Sequence, residues 1–304
     1  MTLQNRITRS IIKNRLLYIM LLPGLIYFVL FKYVPLWGIL ISFQDFQPIK
    51  GVAGSEWVGF KHYAHLFGSK DFFMLLKNTL LLSFYNIVFS FPLPIMIALM
   101  LNELRHVVMK RFVQTMIYVP HFMSWVIVVG FFFIIFESSD GLFQGILQSL
   151  GLNEFSFMLD PDWFRPMYIL QILWRDTGWN SIIYLAALTS VDPQLYEAAR
   201  MDGAGRWRQL WHITLPAIRS TIVIMLILRM GDIMELGFEH IYLLLNPLNR
   251  FVAEIFDTYV YTAGILQGQF SYSTAVGMFK AIVGLILVVG ANKLAKKMGE
   301  EGIY

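Results

Sequence analysis

The sequence predicts an all-α protein whose helices cross a lipid bilayer several times. Three observations support this prediction: 57% of the 304 residues are hydrophobic, only 14% are charged, and the mean hydropathy is +0.60. Soluble domains carry considerably more charge. Backbone groups inside a bilayer must be hydrogen-bonded internally, so only helices or closed barrels can span it. Because the apolar stretches here are too long for barrel strands of about 10 residues, a bundle of transmembrane helices follows.

Six apolar stretches are long enough to cross the membrane as helices. Their predicted bounds are Leu16–Phe43, Phe72–Leu101, Phe112–Phe136, Pro166–Ser190, Ile218–Gly237 and Thr274–Ala295. The first stretch contains Lys32 and Pro35, so it is either one tilted helix or a helix followed by a segment at the membrane interface. It is too long and too aromatic for a signal peptide and lacks a small-residue cleavage site. We therefore expect it to remain as an uncleaved first span.

The distribution of positive charge predicts how the chain is oriented. More than half of the 24 Lys and Arg residues fall on segments that would be cytoplasmic if the N-terminus is cytoplasmic. By the positive-inside rule, this places both termini in the cytoplasm and predicts an even number of spans. We expect an N-terminal part, residues 1–71, with the first helix and an external loop. Residues 72–304 would form the core transmembrane domain.

The longest predicted cytoplasmic loop, residues 192–216, has a recognisable local architecture. Asp192 is a suitable N-cap, Pro193 fits the first helical position, and Gly203 falls where a chain leaving a helix needs a positive φ. The small residues around Gly203 would let another protein approach the backbone closely. Two interpretations stay open on spacing alone: a docking element for a cytoplasmic partner, or an amphipathic connector anchored in the headgroups by Trp207 and Trp211.

This loop resembles the EAA loop of ABC importer permeases. The shared pattern is Glu197-Ala198-Ala199, then Gly203 after three residues, then Ile213-Thr-Leu-Pro216. The resemblance implies the type I permease fold, with a coupling helix that sits in a groove of the ATP-binding subunit. The residues that it implies for docking are Glu197, Ala198, Ala199, Arg200, Asp202, Gly203, Ala204 and Gly205.

Further motifs resemble the carbohydrate-uptake branch of that family. They are Met201-Asp-Gly-Ala after Tyr196, and Trp57-Val-Gly-Phe-Lys-His-Tyr in the external loop. Segments 237–247, 257–261 and 268–272 resemble a subgroup that imports complex oligosaccharides with a lipoprotein binding protein. The implied partners are a second permease chain, ATP-binding subunits, an extracytoplasmic solute-binding protein, membrane lipid and a sugar, and no nucleic acid.

The sequence contains no phosphate loop, so ATP with Mg²⁺ is expected on partner subunits and no cofactor on this chain. The nearest approach, Gly54 to Lys61, has Phe60 between Gly59 and Lys61. His62 and His65 are too few for a metal site, because such sites normally use more ligands. We therefore expect neither a metal nor covalent chemistry, and the chain is not expected to be an enzyme.

Polar and aromatic residues within the spans are candidates for a substrate path. Arg229, Asp232 and Glu235 would share one face of a helix at about 100° per residue, with Glu239 just beyond. An ion pair of Arg229 with Asp232 is the structural alternative. Sugar recognition needs hydrogen-bonding groups and aromatic faces. Side chains with that chemistry are Trp125, Trp179, Asn180 and Tyr184, although tryptophans near helix ends also serve as interfacial anchors.

These features together predict the permease subunit of an ATP-driven importer that moves a sugar by alternating access. The sugar would be an oligosaccharide delivered by the extracytoplasmic binding protein. Two alternatives belong to other classes. One is a secondary transporter that couples ion flow through Arg229, Asp232 or Glu235. The other is a membrane scaffold that docks a cytoplasmic protein without transport.

Overall fold

Helices make up nearly all of the regular structure in residues 13–137, 141–151 and 155–297, which are the residues that this computed structural model describes. The prediction of an all-α protein is confirmed. The chain divides into two units. The N-terminal unit runs to Gly68 and includes Thr262–Met278, and the core unit comprises Ser69–Tyr261 with the residues from Phe279 onward.

The N-terminal unit begins with an unbroken helical run of 29 residues, Arg15–Phe43. It starts as α1 (Arg15–Phe28), continues through a π turn (Val29–Tyr33) and ends as a 3-10 segment (Val34–Phe43). Pro35 lies near the start of the 3-10 segment, and without an N–H it cannot donate a helical hydrogen bond to the preceding turn. Of the two alternatives for the first apolar stretch, the structure therefore shows one continuous helical run.

A small hairpin and a helix follow in the same unit. Strand β1 (Gln44–Asp45) pairs antiparallel with β2 (Glu56–Trp57), with α2 (Gly51–Gly54) between them and α3 (Lys61–Gly68) after them. Lys61 Nζ lies 2.6 Å from Asp45 Oδ2, and this hydrogen bond holds the pKa of the Asp45 carboxyl below its ordinary value. The His62 ring contacts the same carboxylate at 3.3 Å. The hairpin and α3 are thus joined by polar contacts.

The core unit contains the remaining helices up to Tyr261. They are α4 (Lys70–Tyr85), α5 (Pro92–Glu103), α6 (Val107–Tyr118), α7 (Trp125–Phe136), α8 (Leu142–Ser149), α9 (Pro161–Thr189), α10 (Pro193–Met201), α11 (Arg206–Gln209), α12 (Leu215–Ala217), α13 (Arg219–Gly231), α14 (Phe238–Leu244), α15 (Arg250–Ala253) and α16 (Phe256–Tyr261). The last helix, α17 (Phe270–Lys297), contributes residues to both units. Short π turns continue α4, α11 and α16, and a 3-10 turn, Val119–Phe122, continues α6.

Among the described residues, three helical runs are long and apolar enough to cross a membrane: Arg15–Phe43, Lys70–Glu103 and Phe270–Lys297. Two bent helix pairs raise the number to five if each pair is one span. The fourth predicted stretch coincides with α9, which has 29 residues but is more polar. The number of six spans therefore remains a prediction.

The third and fifth predicted spans differ from the helices of the structure. The pair Val107–Phe122 and Trp125–Phe136 is bent by 104°, because the Ser124 hydroxyl accepts a hydrogen bond from Ile127 N and begins a new helix soon after Pro120. The second pair, Arg206–Ala217 and Arg219–Gly231, is bent by 59°. Its second helix ends at Gly231 and does not reach Gly237. The third span is therefore broken within its predicted bounds, and the helix of the fifth span ends before its predicted bound at Gly237.

Helix α9 lies at the centre of the packing in the core unit. Tyr168, Ile169 and Ile172 on α9 are buried against apolar residues of α7 and α14. Further along α9, Gly178 meets α6 so closely that a Cβ atom there would lie 2.0 Å from the carbonyl oxygen of Ile117. The two backbones touch at this point, and only glycine fits. This contact fixes α9 beside the break between α6 and α7.

Candidate functional site

Four of the predicted substrate-path residues line one cavity of about 130 Å³ in the core unit. They are Asn180 and Tyr184 from α9, and Arg229 and Asp232 from α13 and its end. The remaining lining residues are Ser90, Phe91, Pro94, Met225 and Leu228. Three helical segments far apart in the sequence therefore meet at one polar cavity.

The side chain of Arg229 is held by a residue that sequence reasoning missed. Its Nη2 donates a 2.6 Å hydrogen bond to Oδ1 of Asn86, which lies in the π turn after α4. The alternative of an ion pair between Arg229 and Asp232 is not found among the described residues. Arg229 is instead positioned by a neutral partner, so its positive charge is not cancelled. Because a charge inside a membrane protein normally faces a cavity or a partner, this placement fits a polar path.

The charged residues after Arg229 do not share one helical face as predicted. Helix α13 ends at Gly231, so Asp232 occupies the C-cap, and Glu235 N donates to the Asp232 carbonyl in a turn. Glu239 belongs to the next helix, α14. At the end of α13, a Cβ on Gly231 would lie 2.7 Å from Val288 Cγ2, so α17 approaches the chain closely at this glycine.

Asp232 and Glu235 border a second, larger cavity of about 560 Å³. Across it lies Lys280 on α17, which forms an ion pair with Asp257. Asp232 and Leu228 line both cavities, so the end of α13 lies between them. Sequence reasoning also missed Lys280. A signal for it was present, since Lys280 is a cation within the apolar stretch Thr274–Ala295, where charges are costly.

Trp125 does not line the cavity that holds the other four residues. Its ring is stacked on the His240 imidazole with centroids 3.7 Å apart, and the guanidinium carbon of Arg175 lies 4.3 Å from its centroid. His240 is fully buried, and its Nε2 lies 2.8 Å from Gln171 Oε1. The Trp125 ring is therefore packed against protein groups.

Trp179 belongs to a separate cluster at the break between α6 and α7. It stacks on the His121 ring at 4.6 Å, nearly parallel, and Phe122 meets it edge-on. His121 Nδ1 lies 2.9 Å from Asp176 Oδ1, which also accepts from Arg175. With 40% of its surface exposed, Trp179 retains an accessible edge in this chain.

The predicted helix in the 192–216 loop is present as α10. The Asp192 carboxylate accepts from Gln194 N at 2.9 Å, and Pro193 occupies the first turn. At the other end Gly203 has φ +76°, its N–H donates to Arg200 O, and Ala204 N donates to Ala199 O at 2.8 Å. This pair of hydrogen bonds is a Schellman motif, which requires a left-handed residue at Gly203.

The docking residues implied by the resemblance lie together on and just after α10. Most are exposed: Glu197, Ala198, Arg200, Asp202, Gly203 and Gly205. Met201, beside them, is 89% exposed. The Tyr196 hydroxyl lies 3.0 Å from Thr214 Oγ1, and Gln209 Nε2 donates to Ala204 O at 2.8 Å. These contacts connect α10 to the segment that leads into α13.

Comparisons with known proteins agree with this architecture. The family described as "Binding-protein-dependent transport system inner membrane component" matches residues 90–300. The polygalacturonan/rhamnogalacturonan transport system permease protein YteP of Bacillus subtilis (strain 168) is 63% identical over 99% of this chain and 94% of its own. Protein LplB of the same organism is 55% identical over 96% of this chain and 92% of its own.

A solved structure is also similar. A bacterial ABC transporter involved in the import of the acidic polysaccharide alginate contains a chain with a TM-score of 0.89 and 41% identity, covering 96% of this chain and 99% of that one. A chain of the bacterial alginate ABC transporter in complex with an alginate pentasaccharide-bound periplasmic protein has a TM-score of 0.90 and 40% identity. This match covers 98% of this chain and 100% of that one.

The fold and the loop thus define a multi-pass permease of the inner membrane. More particularly, the chain belongs to the family of binding-protein-dependent transport system inner membrane components.

Proposed function

We propose that this chain is a permease subunit of an ATP-driven ABC importer for acidic oligosaccharides. The relatives support the substrate class: one is named for polygalacturonan and rhamnogalacturonan transport, and the similar structure belongs to an importer of alginate, an acidic polysaccharide. Chains of this kind carry a carboxylate on their uronate units. Arg229, whose positive charge is not neutralised by an ion pair with a described residue, is the cation in the proposed path that complements this carboxylate.

The observation that carries the proposal is the convergence of Asn180, Tyr184, Arg229 and Asp232 on one cavity. The Arg229 guanidinium has five N–H donors, and Asn86 takes only one of them. The others suit a uronate carboxylate, since guanidinium and carboxylate form forked hydrogen bonds. Asn180 and Asp232 supply groups for sugar hydroxyls, and Glu235 continues the path into the larger cavity.

The energy for transport comes, in this proposal, from separate subunits that bind ATP and Mg²⁺. The permease itself performs no covalent chemistry. Its exposed docking residues, Glu197 to Gly205, contact an ATP-binding subunit on the cytoplasmic side, where both termini also lie. A second permease chain completes the membrane part, and an extracytoplasmic binding protein delivers the sugar. In support, the similar alginate transporter is seen in complex with a pentasaccharide-bound periplasmic protein.

Coupling would use the contacts that join α10 to the path. ATP-driven closure of the docked subunits moves α10, and the Tyr196 and Gln209 contacts pass that movement to the segment before α13. Arg229 and Asp232 lie at the far end of α13. A rigid-body movement of this kind exposes the cavity alternately to the two sides of the membrane.

Co-purification from the native membrane tests the proposed partners. The wild type is compared with Glu197→Lys and Gly203→Asp, which change the docking residues, and with Glu56→Lys, which makes the same charge change on β2. The wild type and Glu56→Lys should retain an ATPase and a second membrane chain, while both loop variants should lose the ATPase. If no ATPase accompanies the wild type under gentle extraction, the proposal fails.

A further inference from the structure

A third cavity of the core unit contains a cation that the proposed path does not use. It has a volume of about 410 Å³ and lies between the segment after α4 and the first turns of α9. Its lining residues are Tyr85, Phe89, Asp162, Arg165, Pro166 and Ile169. Pockets for small molecules have volumes of roughly 300–1,000 Å³, so this cavity is large enough for a sugar unit.

The guanidinium of Arg165 is incompletely paired within the described part of the chain. Its Nη2 donates to Asn78 Oδ1 over a long 3.4 Å, and its buried Nε has no hydrogen-bond partner. A buried donor without a partner destabilises the protein, and a guanidinium has five donors to satisfy. The Nη donors are the accessible ones, and a carboxylate that binds in the plane of the guanidinium would accept from both Nη1 and Nη2.

Two aromatic rings provide the apolar side of the same cavity. Tyr85 and Phe89 are one helical turn apart, with centroids separated by 6.3 Å, and Phe89 is 51% exposed. The C–H face of a pyranose packs on such rings. Asp162 is exposed at the rim and accepts hydrogen bonds, which suits sugar hydroxyls. The cavity thus combines the groups that a uronate needs.

This cavity is next to the one that contains Arg229. Tyr85 and Phe89 border the Arg165 cavity, while Ser90 and Phe91, the next residues along the chain, border the Arg229 cavity. Asn86, between Tyr85 and Phe89, accepts the hydrogen bond from Arg229. One helical segment therefore separates two guanidinium-containing cavities, an arrangement suited to successive units of one chain.

We propose that the Arg165 cavity is a second saccharide subsite that binds a uronate unit. Arg165 takes the carboxylate, Tyr85 and Phe89 pack on the sugar ring, and Asp162 accepts from a hydroxyl. This inference rests on the proposed function, because it deepens the same transport path. It assigns a recognition role to residues at the start of α9 that the sequence patterns did not single out.

The test uses the complete importer with its binding protein in proteoliposomes. The probes are a galacturonic acid trisaccharide and its fully methyl-esterified form, which has the same rings and no charge. Arg165→Gln should raise the KM for the acid about tenfold, the usual effect of losing a charge-assisted hydrogen bond, and leave the KM for the ester unchanged. Phe89→Ala should weaken uptake of both. Lys77→Gln removes an exposed cation from α4, outside the cavity, and should change neither.

The outcomes separate this inference from the proposed function. If the wild type takes up neither probe, both the subsite and the proposed function are rejected. If the wild type takes up the acid and Arg165→Gln has the same KM values as the wild type, only the subsite is rejected. The subsite is also rejected if Arg165→Gln weakens uptake of the acid and of the ester equally. Arg165→Lys keeps the positive charge but loses the planar pair of N–H donors that binds a carboxylate. If Arg165→Gln does not assemble, an acid-selective rise in KM for Arg165→Lys supports the subsite, and its absence overturns it.

Discussion

Arg229 and Asn86 are 143 residues apart in the sequence, and a 2.6 Å hydrogen bond joins their side chains. Asn86 lies in a π turn, where the regular helical hydrogen bonding after α4 is interrupted. The contact fixes the guanidinium in place without cancelling its charge. It is the relationship on which substrate selection by charge depends in the proposed function.

Asn86→Asp should therefore weaken transport of acidic sugars. The new carboxylate would form an ion pair with Arg229 and compete with the substrate, so we expect the KM for an acidic oligosaccharide to rise about tenfold, equivalent to about 1.4 kcal/mol. Gln47→Glu adds the same charge at an exposed position of the N-terminal unit and serves as control. Unchanged KM in Asn86→Asp would mean that Arg229 does not meet the substrate.

Gly178→Ala should destabilise the core unit. The added Cβ would lie 2.0 Å from Ile117 O, so α6 and α9 would have to separate. Forced overpacking of this kind costs about 1–3 kcal/mol. The measurement is thermal unfolding of the purified complex in detergent. Gly130→Ala on α7 is the matched control, because no atom lies within 4 Å of its added Cβ. Equal Tm values for both variants would contradict the close contact.

Gly203→Ala should disturb the C-terminal end of α10. The φ of +76° is left-handed, which costs a residue with a Cβ about 1–2 kcal/mol. We expect weaker association with the ATPase in the co-purification assay. Gly205→Ala changes the same loop at a φ of −69°, where alanine fits, and should retain the ATPase. Loss of the ATPase in both variants would indicate that side-chain bulk, and not backbone conformation, is decisive.

Tyr196→Phe should reduce transport per ATP hydrolysed. The variant removes the hydroxyl that contacts Thr214 Oγ1 and leaves the docking residues in place. ATP hydrolysis should continue while uptake falls. The Thr214→Val variant should behave alike, and the double variant should be no worse than either single one, because all three lack the same contact. Additive losses would show that the two residues act independently.

The sequence allowed the 192–216 loop to be predicted accurately because its signals are local. Asp192, Pro193 and Gly203 each act on the backbone within a few residues, and the predicted helix appears as Pro193–Met201. For the first apolar stretch the sequence left two alternatives open, and the structure shows a helical run over Arg15–Phe43. N-caps, prolines and left-handed glycines are short-range features, so pattern alone identifies them.

The packing of Gly231 against the last helix and the role of Trp125 could not be predicted, because both are contacts between residues far apart in the sequence. Helix α13 stops at Gly231, where Val288 of the last helix approaches it. Trp125 is an aromatic residue suited to sugar stacking, but its face is taken by His240. No local pattern connects these pairs. By contrast, charges inside membranes normally face cavities, and this rule correctly predicted that Arg229 and Asp232 line one. The same rule, applied to the last span, would have predicted Lys280 as well.

Uptake by the purified importer in proteoliposomes distinguishes an ATP-driven importer from an ion-coupled transporter. The complex with its binding protein is supplied with a radiolabelled galacturonic acid trisaccharide, with or without internal ATP, and with ionophores that abolish ion gradients. If the chain belongs to an ATP-driven importer, uptake should require ATP and be unaffected by the ionophores. Uptake that continues without ATP and stops when the ion gradients collapse would contradict the account and identify an ion-coupled transporter.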